Sequence, residues 1–562
     1  MTIPTRLRRA LPAVLAGSLA AATPPSNAQT TEALLTDAAT PGDVLTYGMG
    51  YSQQRFSPLK QINTHTVSKL VPVWAMSTNN SLGDEAQPLV SNGVIYYTTG
   101  KSTYAVDALS GRMLWRHEME YGPDIGRAAL SGQVNRGPAL HEGRLFRTTL
   151  DAHVLALDAK TGKELWKSKS ADYKLGYSMS VAPLVANGVL ITGIGCGEHG
   201  GRGYIEAWDP ATGQSLWRKY TIPAPGEPGS ETWPEGDAWT RGGGPAWLTG
   251  SYDPELDLVF WGVGNASPWN AQDRKGDNLF TSSVLALKPK TGEVVWYYQF
   301  TPNDTFDYDG NNELVQATLR VAGKPRKVVM QANRNGFLYV LDRATGELLA
   351  ANAFTRQTWA ERIDLKTGRP VETAGVKKMR ETGDWVNVAP SAFGGKNWNP
   401  MSFSPSTGFL YANVLDNEWD YRPAKQPYEA GAPYIAMEAK WRFDPKAGGS
   451  LKALDPLTGK AKWEHPWTIA SFSGTLATAG DVVFSGNMTG EFAAFHALTG
   501  RKLWSFQTSS GIVSQPITWE HKGKQYVTVA SGIGTVYLFF AGDERLATVP
   551  PGGTLWTFAL AH

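Results

Sequence analysis

The sequence contains a single cysteine, Cys196, among 562 residues. An intramolecular disulfide is therefore excluded, and so is a Cys-x-x-Cys-His haem attachment. A redox enzyme built on this chain has to hand its electrons to a separate carrier. Past the N-terminal segment there is no long uninterrupted apolar run, so no membrane-spanning helix is expected there. Neither sign of charge dominates: 53 Lys and Arg stand against 51 Asp and Glu, for a formal net charge of +2. That balance excludes a nucleic-acid binder held by a basic face.

The N-terminus has the composition of an export signal. Arg6, Arg8 and Arg9 precede an apolar stretch from Leu11 to Ala22. Ser26, Asn27 and Ala28 then supply small residues ahead of Gln29. Cleavage near Ala28 is expected, and it takes the formal charge from +2 to −1 by removing those three arginines.

What is abundant is glycine, 60 residues, and tryptophan, 21 residues. They recur together in the unit Ala-x-Asp-x-x-Thr-Gly-x-x-x-Trp. Copies run from Ala105 to Trp115 (with Ser110 for Thr), Ala156 to Trp166 and Ala207 to Trp217. Others run from Ala286 to Trp296 (with Lys288 for Asp), Ala453 to Trp463 and Ala494 to Trp504 (with His496 for Asp). A degenerate copy from Val340 to Ala350 lacks the Trp. Short β-branched and aromatic runs such as Val94 to Tyr97 precede the units and read as strands. The Thr-Gly pair reads as a turn. Each unit is thus a small antiparallel sheet that buries its faces only against its neighbours, which predicts an all-β propeller. The expected architecture is one eight-bladed propeller over residues 29–562, with insertions near 222–250 and 355–450. Its ring is closed by pairing Thr535–Phe540 with Leu70–Trp74. A repeat of this kind specifies a fold and not an activity, and non-enzymatic scaffolds use it too.

Function has to come from the segments that break the repeat. Glu198, Asn265, Asp307 and Asp309 offer oxygen atoms of the kind hard cations bind. Arg136 and Arg334 suit carboxylate or carbonyl oxygens. Trp247 follows three glycines and presents a flat ring for stacking. Taken singly, each is an ordinary turn, surface or core residue; the set as a whole points to a site.

These segments, in this order, resemble the PQQ-dependent (pyrroloquinoline quinone) alcohol dehydrogenases, methanol dehydrogenase large subunits among them. The likeness runs from about Tyr47 to Leu560. It implies that PQQ stacks on Trp247 and that one metal ion is held by Glu198, Asn265, Asp307 and Asp309. It implies Asp307, in Phe306-Asp307-Tyr308, as the catalytic base, with Arg334 stabilising developing negative charge. Around PQQ it implies Glu85, Arg136, Ser180, Gly195, Gly197, Arg334, Asn397 and Phe472. The expected reaction is oxidation of an alcohol to an aldehyde or ketone in the periplasm, with a soluble cytochrome c or other external acceptor. The alternatives are a polyol, sugar or bulky secondary-alcohol dehydrogenase, or a non-enzymatic propeller.

The chain departs from the family at several positions. Leu130 and Ser131 stand where the family has two adjacent, disulfide-bonded cysteines. Phe472 replaces a tryptophan of the methanol enzymes. Gly195 replaces a serine, and Cys196 beside it reads either as a redox nucleophile or as a buried thiol. Asp309 adds a carboxylate that favours a trivalent lanthanide, against a loop-bonding role beside calcium. Trp385, Trp419 and Tyr421 mark the 355–450 segment as a candidate roof over the site.

Overall fold

The computed structural model describes residues 29–129, 132–442, 448–534 and 544–561, together with Met1. Among them, eight antiparallel sheets follow one another along the chain, at 89–118, 139–169, 184–220, 251–299, 315–353, 402–466, 476–507 and 517–560. Each has four strands, the eighth taking its fourth, Leu70–Ser77, from the early part of the chain. The seventh gains a fifth, Phe56–Ser57, parallel to Leu476–Thr478. In the first sheet Leu89–Ser91 is fully buried, whereas the outer strand Met113–Glu118 alternates between exposed and half-buried side chains. That gradient is what radial stacking of small sheets produces.

The repeat explains how the sheets are joined. The motif Asp closes its own turn: the Asp158 carboxylate accepts from the Thr161 N–H at 2.8 Å, and Asp107, Asp209, Asp342 and Asp455 do the same three residues on. The motif Trp reaches into the next sheet. The indole N–H of Trp115 donates to Ala159 O at 3.1 Å, Trp166 to Pro210 O at 3.2 Å and Trp217 to Pro289 O at 2.9 Å. The same ring lies on the glycine of the next Thr-Gly turn, where a Cβ at Gly162 or Gly213 would collide with it. That glycine also has positive φ, +72° at Gly162, so two independent constraints select it. At the degenerate copy the indole is absent. There Asn352 Nδ2 donates to Leu457 O at 2.8 Å across the same joint.

The ring closes differently from the sequence expectation. Leu70–Ser77 pairs with Thr554–Leu560, and Trp504 donates to Leu70 O at 2.9 Å across the seam. Residues 535–540 lie outside the described residues. Thr554–Leu560 buries Leu555, Phe558 and Ala559 in the core and packs the partly buried Trp556 against it.

Of the two expected insertions, 222–250 is a connection with two short 3-10 turns, Ser230–Thr232 and Ala238–Arg241. The 355–450 stretch is only partly an insertion. Its strands Ser402–Ser404 and Phe409–Val414 belong to the sixth sheet. The remainder forms the hairpin Ala360–Asp364/Arg369–Glu372, the helix Ala374–Thr382 and a three-stranded sheet. That sheet pairs Val386–Val388, Glu418–Pro423 and Met437–Arg442.

Candidate functional site

A cavity of about 420 Å³ gathers residues from many of these connections. Trp247 lies on one wall, with the guanidinium of Arg136 4.6 Å and that of Arg334 5.7 Å from its ring centroid. The glycines before it have a clear purpose. Gly243 and Gly244 have φ of +75° and +68°, and a Cβ on Gly243 would collide with the backbone of residues 265–267. Gly244 N–H instead donates to Asn265 O at 2.8 Å. The loop bearing Trp247 is thereby fixed against the loop bearing Asn265.

The acidic residues sit on two further connections. Glu198 lies on the short turn Gly197–His199, capped by Gly200 in a left-handed conformation. A Cβ on Gly197 would strike Asn265 Oδ1, so the missing side chain lets the two connections meet. Asp307 has φ +62°, costly for a residue with a Cβ. Asp304 holds it there: its carboxylate accepts from Phe306 N at 3.1 Å and Tyr308 N at 2.9 Å.

Arg334 ties the carboxylates together. Its Nη1 is 2.8 Å from Asp307 Oδ2 and its Nη2 is 2.9 Å from Asp309 Oδ2. It also donates to Ala392 O at 3.1 Å and Asn397 Oδ1 at 3.4 Å. Burial, with Asp309 and Glu198 nearby, pushes the Asp307 carboxyl well above the usual carboxylate range, although Arg334 pulls the other way. Burial and the Asp309 charge likewise raise Glu198. Burial works against the Arg334 charge, but Asp309, Asp307 and Glu198 outweigh it and hold its pKa above the ordinary value. At the far end, Arg136 Nη2 lies 2.9 Å from Glu85 Oε2 and also bonds Ser180 Oγ.

The structure brings most of the predicted residues together. Arg136, Ser180, Gly195, Glu198, Trp247, Asp307, Asp309, Arg334 and Asn397 line the cavity. Asn265, Glu85 and Gly197 lie just behind this lining, through the contacts given above. Phe472 does not line it: it is buried and stacked on Trp398, ring centroids 4.9 Å apart, and supports the wall from behind. Of the candidate roof residues only Trp419 faces the cavity. Tyr421 packs behind it on Phe306, and Trp385 lies outside against Arg422 and Lys440. Cys196 lines the cavity but is buried, and burial pushes its thiol far up, which opposes a thiolate nucleophile. Leu130 and Ser131 lie outside the described residues.

Sequence reasoning missed the apolar wall: Trp269, Phe393, Trp398 and Trp441. Trp419 and Trp441 stack at 4.9 Å with 7° between planes, and Phe393 meets both edge-on. Their one common signal is aromatic density in the connections, which also describes a core.

The donor set fits a hard cation. The buried oxygens Asn265 Oδ1 and Asp307 Oδ1 have no hydrogen-bond partner, an expensive state that a cation relieves. Among the described residues no three His, Cys, Asp or Glu side chains form a cage by themselves. An amide oxygen completes this set, and Arg334 stands between two of its carboxylates. Trp247 and the two guanidinium groups border the same cavity, which offers an aromatic face and positive charge to a flat anionic group.

Residues 45–353 and 435–527 match the family described as "PQQ: Glucose/ethanol/alcohol dehydrogenase, beta-propeller domain". The chain is 42% identical to a quinoprotein ethanol dehydrogenase of Pseudomonas aeruginosa, over 94% of this chain and 92% of that protein. It is 41% identical to the quinoprotein alcohol dehydrogenase PedH of Pseudomonas putida, over 94% and 93%. Among solved structures, a europium-containing methanol dehydrogenase superposes with a TM-score of 0.89 at 35% identity, over 94% of this chain and all of that one.

Proposed function

The chain belongs to the PQQ-dependent alcohol dehydrogenases, and on that premise we propose how its own residues oxidise an alcohol to an aldehyde or ketone. The observation that carries the assignment of roles is the convergence of Arg334, Asp307 and Asp309 beside Trp247, with unpartnered oxygens on Asn265 and Asp307. The enzyme uses PQQ with a calcium or lanthanide ion, and when bound these supply a polarised two-electron acceptor.

The protein's contribution is positioning and proton handling. Trp247 gives the quinone its stacking face. Arg136, Ser180, Asn397 and Arg334 supply donors around its rim, with Glu85 orienting Arg136. Glu198, Asn265, Asp307 and Asp309 hold the cation. Asp307, which lines the cavity with Oδ1 left without a hydrogen-bond partner, takes the hydroxyl proton of the alcohol. Arg334 keeps that carboxylate oriented through Oδ2 and places positive charge where negative charge develops. The wall of Trp269, Phe393, Trp419 and Trp441 favours an apolar substituent on the carbinol carbon over a polyol or sugar, whose hydroxyls it leaves unpaired.

Asp309 bears on the choice of metal. Its Oδ1 accepts from Asn265 N at 2.6 Å, and its Oδ2 accepts from Trp247 Nε1 at 3.1 Å and faces Arg334. Each carboxylate oxygen keeps lone-pair capacity for a cation. The extra charge favours a trivalent ion.

The electrons leave to a soluble cytochrome c or another external acceptor, since the chain has no Cys-x-x-Cys-His haem attachment motif to receive them. Residues 1–28 direct export to the periplasm, and 29–562 form one propeller. No helix among the described residues is long and apolar enough to cross a membrane. The test of the reading is oxidation of an alcohol panel by enzyme loaded with PQQ and either calcium or lanthanum, using an artificial acceptor. Turnover of primary alcohols with apolar substituents is expected; no bound chromophore and no turnover with either ion overturns it.

A further inference from the structure

The segment 424–436, between the strands Glu418–Pro423 and Met437–Arg442, passes over both connections assigned to the cation. Tyr434 N donates to Glu198 O at 2.6 Å. Tyr434 O accepts from Ser267 Oγ at 3.1 Å, and Ile435 O accepts from Trp269 N at 2.8 Å. Ala424 O accepts from Asn270 Nδ2 at 3.0 Å. One strap therefore bonds the turn carrying Glu198 on one side and the 265–270 loop on the other. Gly200, two residues past Glu198, packs against the rings of Tyr428 and Tyr434, where a Cβ would lie 3.0 Å from each.

The strap is itself held in shape by one side chain. Gln426 Nε2 donates to Pro433 O at 2.6 Å, while its Oε1 accepts from Ile435 N at 3.0 Å and Ala436 N at 2.8 Å. Ala436 has φ +52°, a conformation unfavourable for any residue with a Cβ. Ala424 N also donates to Ala436 O at 3.0 Å, which closes the base of the loop. Gln426 thus fixes the residues through which the strap reaches Glu198, Ser267 and Trp269. Pro433 and Ile435, flanking Tyr434, line the cavity.

We propose that Gln426 is a positioning residue: by bracing the 424–436 strap, it sets the spacing between the Glu198 and Asn265 connections and so the affinity for the cation, while Pro433 and Ile435 form the rim that alcohols pass. The proposal rests on the assignment of Glu198 and Asn265 as cation ligands. The bonds to Glu198 and the 265–270 loop are made largely by backbone atoms, so the strap works by shape; its two charged side chains, Lys425 and Glu429, are exposed and take no part in those bonds. Loosening it leaves every ligand side chain present but lets the two loops separate, which costs affinity without removing a donor.

The test uses PQQ-loaded enzyme stripped of metal by a chelator and titrated with Ca²⁺, followed by calorimetry and by the quinone absorbance. Gln426→Ala should raise the Ca²⁺ dissociation constant at least fivefold. At saturating Ca²⁺ it should leave kcat close to wild type and raise KM. Gln426→Glu, which keeps the acceptor for Ile435 and Ala436, should recover part of the affinity. Ile435→Ala should change the KM ranking of short against long alcohols while leaving Ca²⁺ affinity in place. Should Gln426→Ala fail to fold, Ser267→Ala cuts one tie of the strap and should weaken Ca²⁺ in the same direction. Wild-type Ca²⁺ affinity in both Gln426→Ala and Ser267→Ala overturns the proposal. Absence of binding of both Ca²⁺ and La³⁺ by the wild-type protein overturns instead the ligand assignment beneath it.

Discussion

At the scale of single residues, the site separates groups by whether their hydrogen-bonding capacity is already used. Asp309 is engaged through both oxygens, whereas Asp307 keeps Oδ1 free beside a guanidinium that fixes Oδ2. Asp307→Asn keeps the shape and removes the base, so kcat should fall by at least about 100-fold. Quinone binding followed by absorbance titration should stay near wild type; near-normal turnover would remove Asp307 from its role. Asp309→Ala should lower the preference for La³⁺ over Ca²⁺ by on the order of tenfold, about 1.4 kcal/mol, in a competition titration. An unchanged ratio would leave Asp309 as a loop anchor for Asn265 and Trp247. The charged members of this site were legible in the sequence because carboxylates and arginines in glycine-rich breaks of a repeat have few structural duties. Phe472 and the aromatic wall were not legible. A tryptophan such as Trp441 or Trp269 has the same sequence signature whether it walls a cavity or fills a core, and only the course of the chain decides.

At the scale of elements, the joints between sheets carry the fold. Each indole spends its N–H on a neighbour's carbonyl and its face on a neighbour's glycine, so burial and a hydrogen bond act at one point. Trp166→Ala should lower stability by about 3 kcal/mol. Trp166→Phe, which loses chiefly the bond to Pro210 O, should cost about 1 kcal/mol, read as the shift in denaturation midpoint. The joint without an indole should respond to Asn352→Ala with a loss of about 1 kcal/mol, since Asn352 Nδ2 bridges it. Equal stability of that variant and wild type would show that packing alone holds this joint. The repeat made these elements readable, since turn, strand and staple all recur at fixed offsets. It could not separate inserted strands from blade strands within 355–450. Phe409–Val414 and Glu418–Pro423 both have strand character, yet one belongs to the sixth sheet and the other to the strap's sheet. The expected partner of Leu70–Trp74 failed for a related reason: several late segments have strand character, and register across a ring seam depends on pairing that local pattern does not specify.

At the scale of the whole molecule, stability depends on the seam where the first and last parts of the chain meet. Asp84 is fully buried there. Its N–H donates to Gly532 O at 2.8 Å, and Gly532 and Gly553 pack so closely on its carboxyl that a Cβ on either would collide with Oδ2. Oδ1 accepts from Tyr97 OH at 3.1 Å and Asn80 Nδ2 at 3.2 Å, while Oδ2 is buried beside the Thr78 hydroxyl without a regular hydrogen bond. Burial therefore raises the Asp84 pKa to about 7, against the bonds from Asn80 and Tyr97 that lower it. Because the folded chain holds this proton more tightly than the unfolded one, the stabilisation is full below the unfolded value near 4 and is lost as pH rises through 7. A shift of about three units is worth on the order of 4 kcal/mol over that window. Asp84→Asn, which cannot ionise, should remove this slope: the difference in unfolding free energy between pH 4.5 and pH 7.5 should shrink by a few kcal/mol. Because the carboxyl joins the seam and not a single blade, the change should appear in the one cooperative transition of the ring. Parallel slopes for variant and wild type would show that Asp84 stays ionised in the folded protein, with a partner at Oδ2.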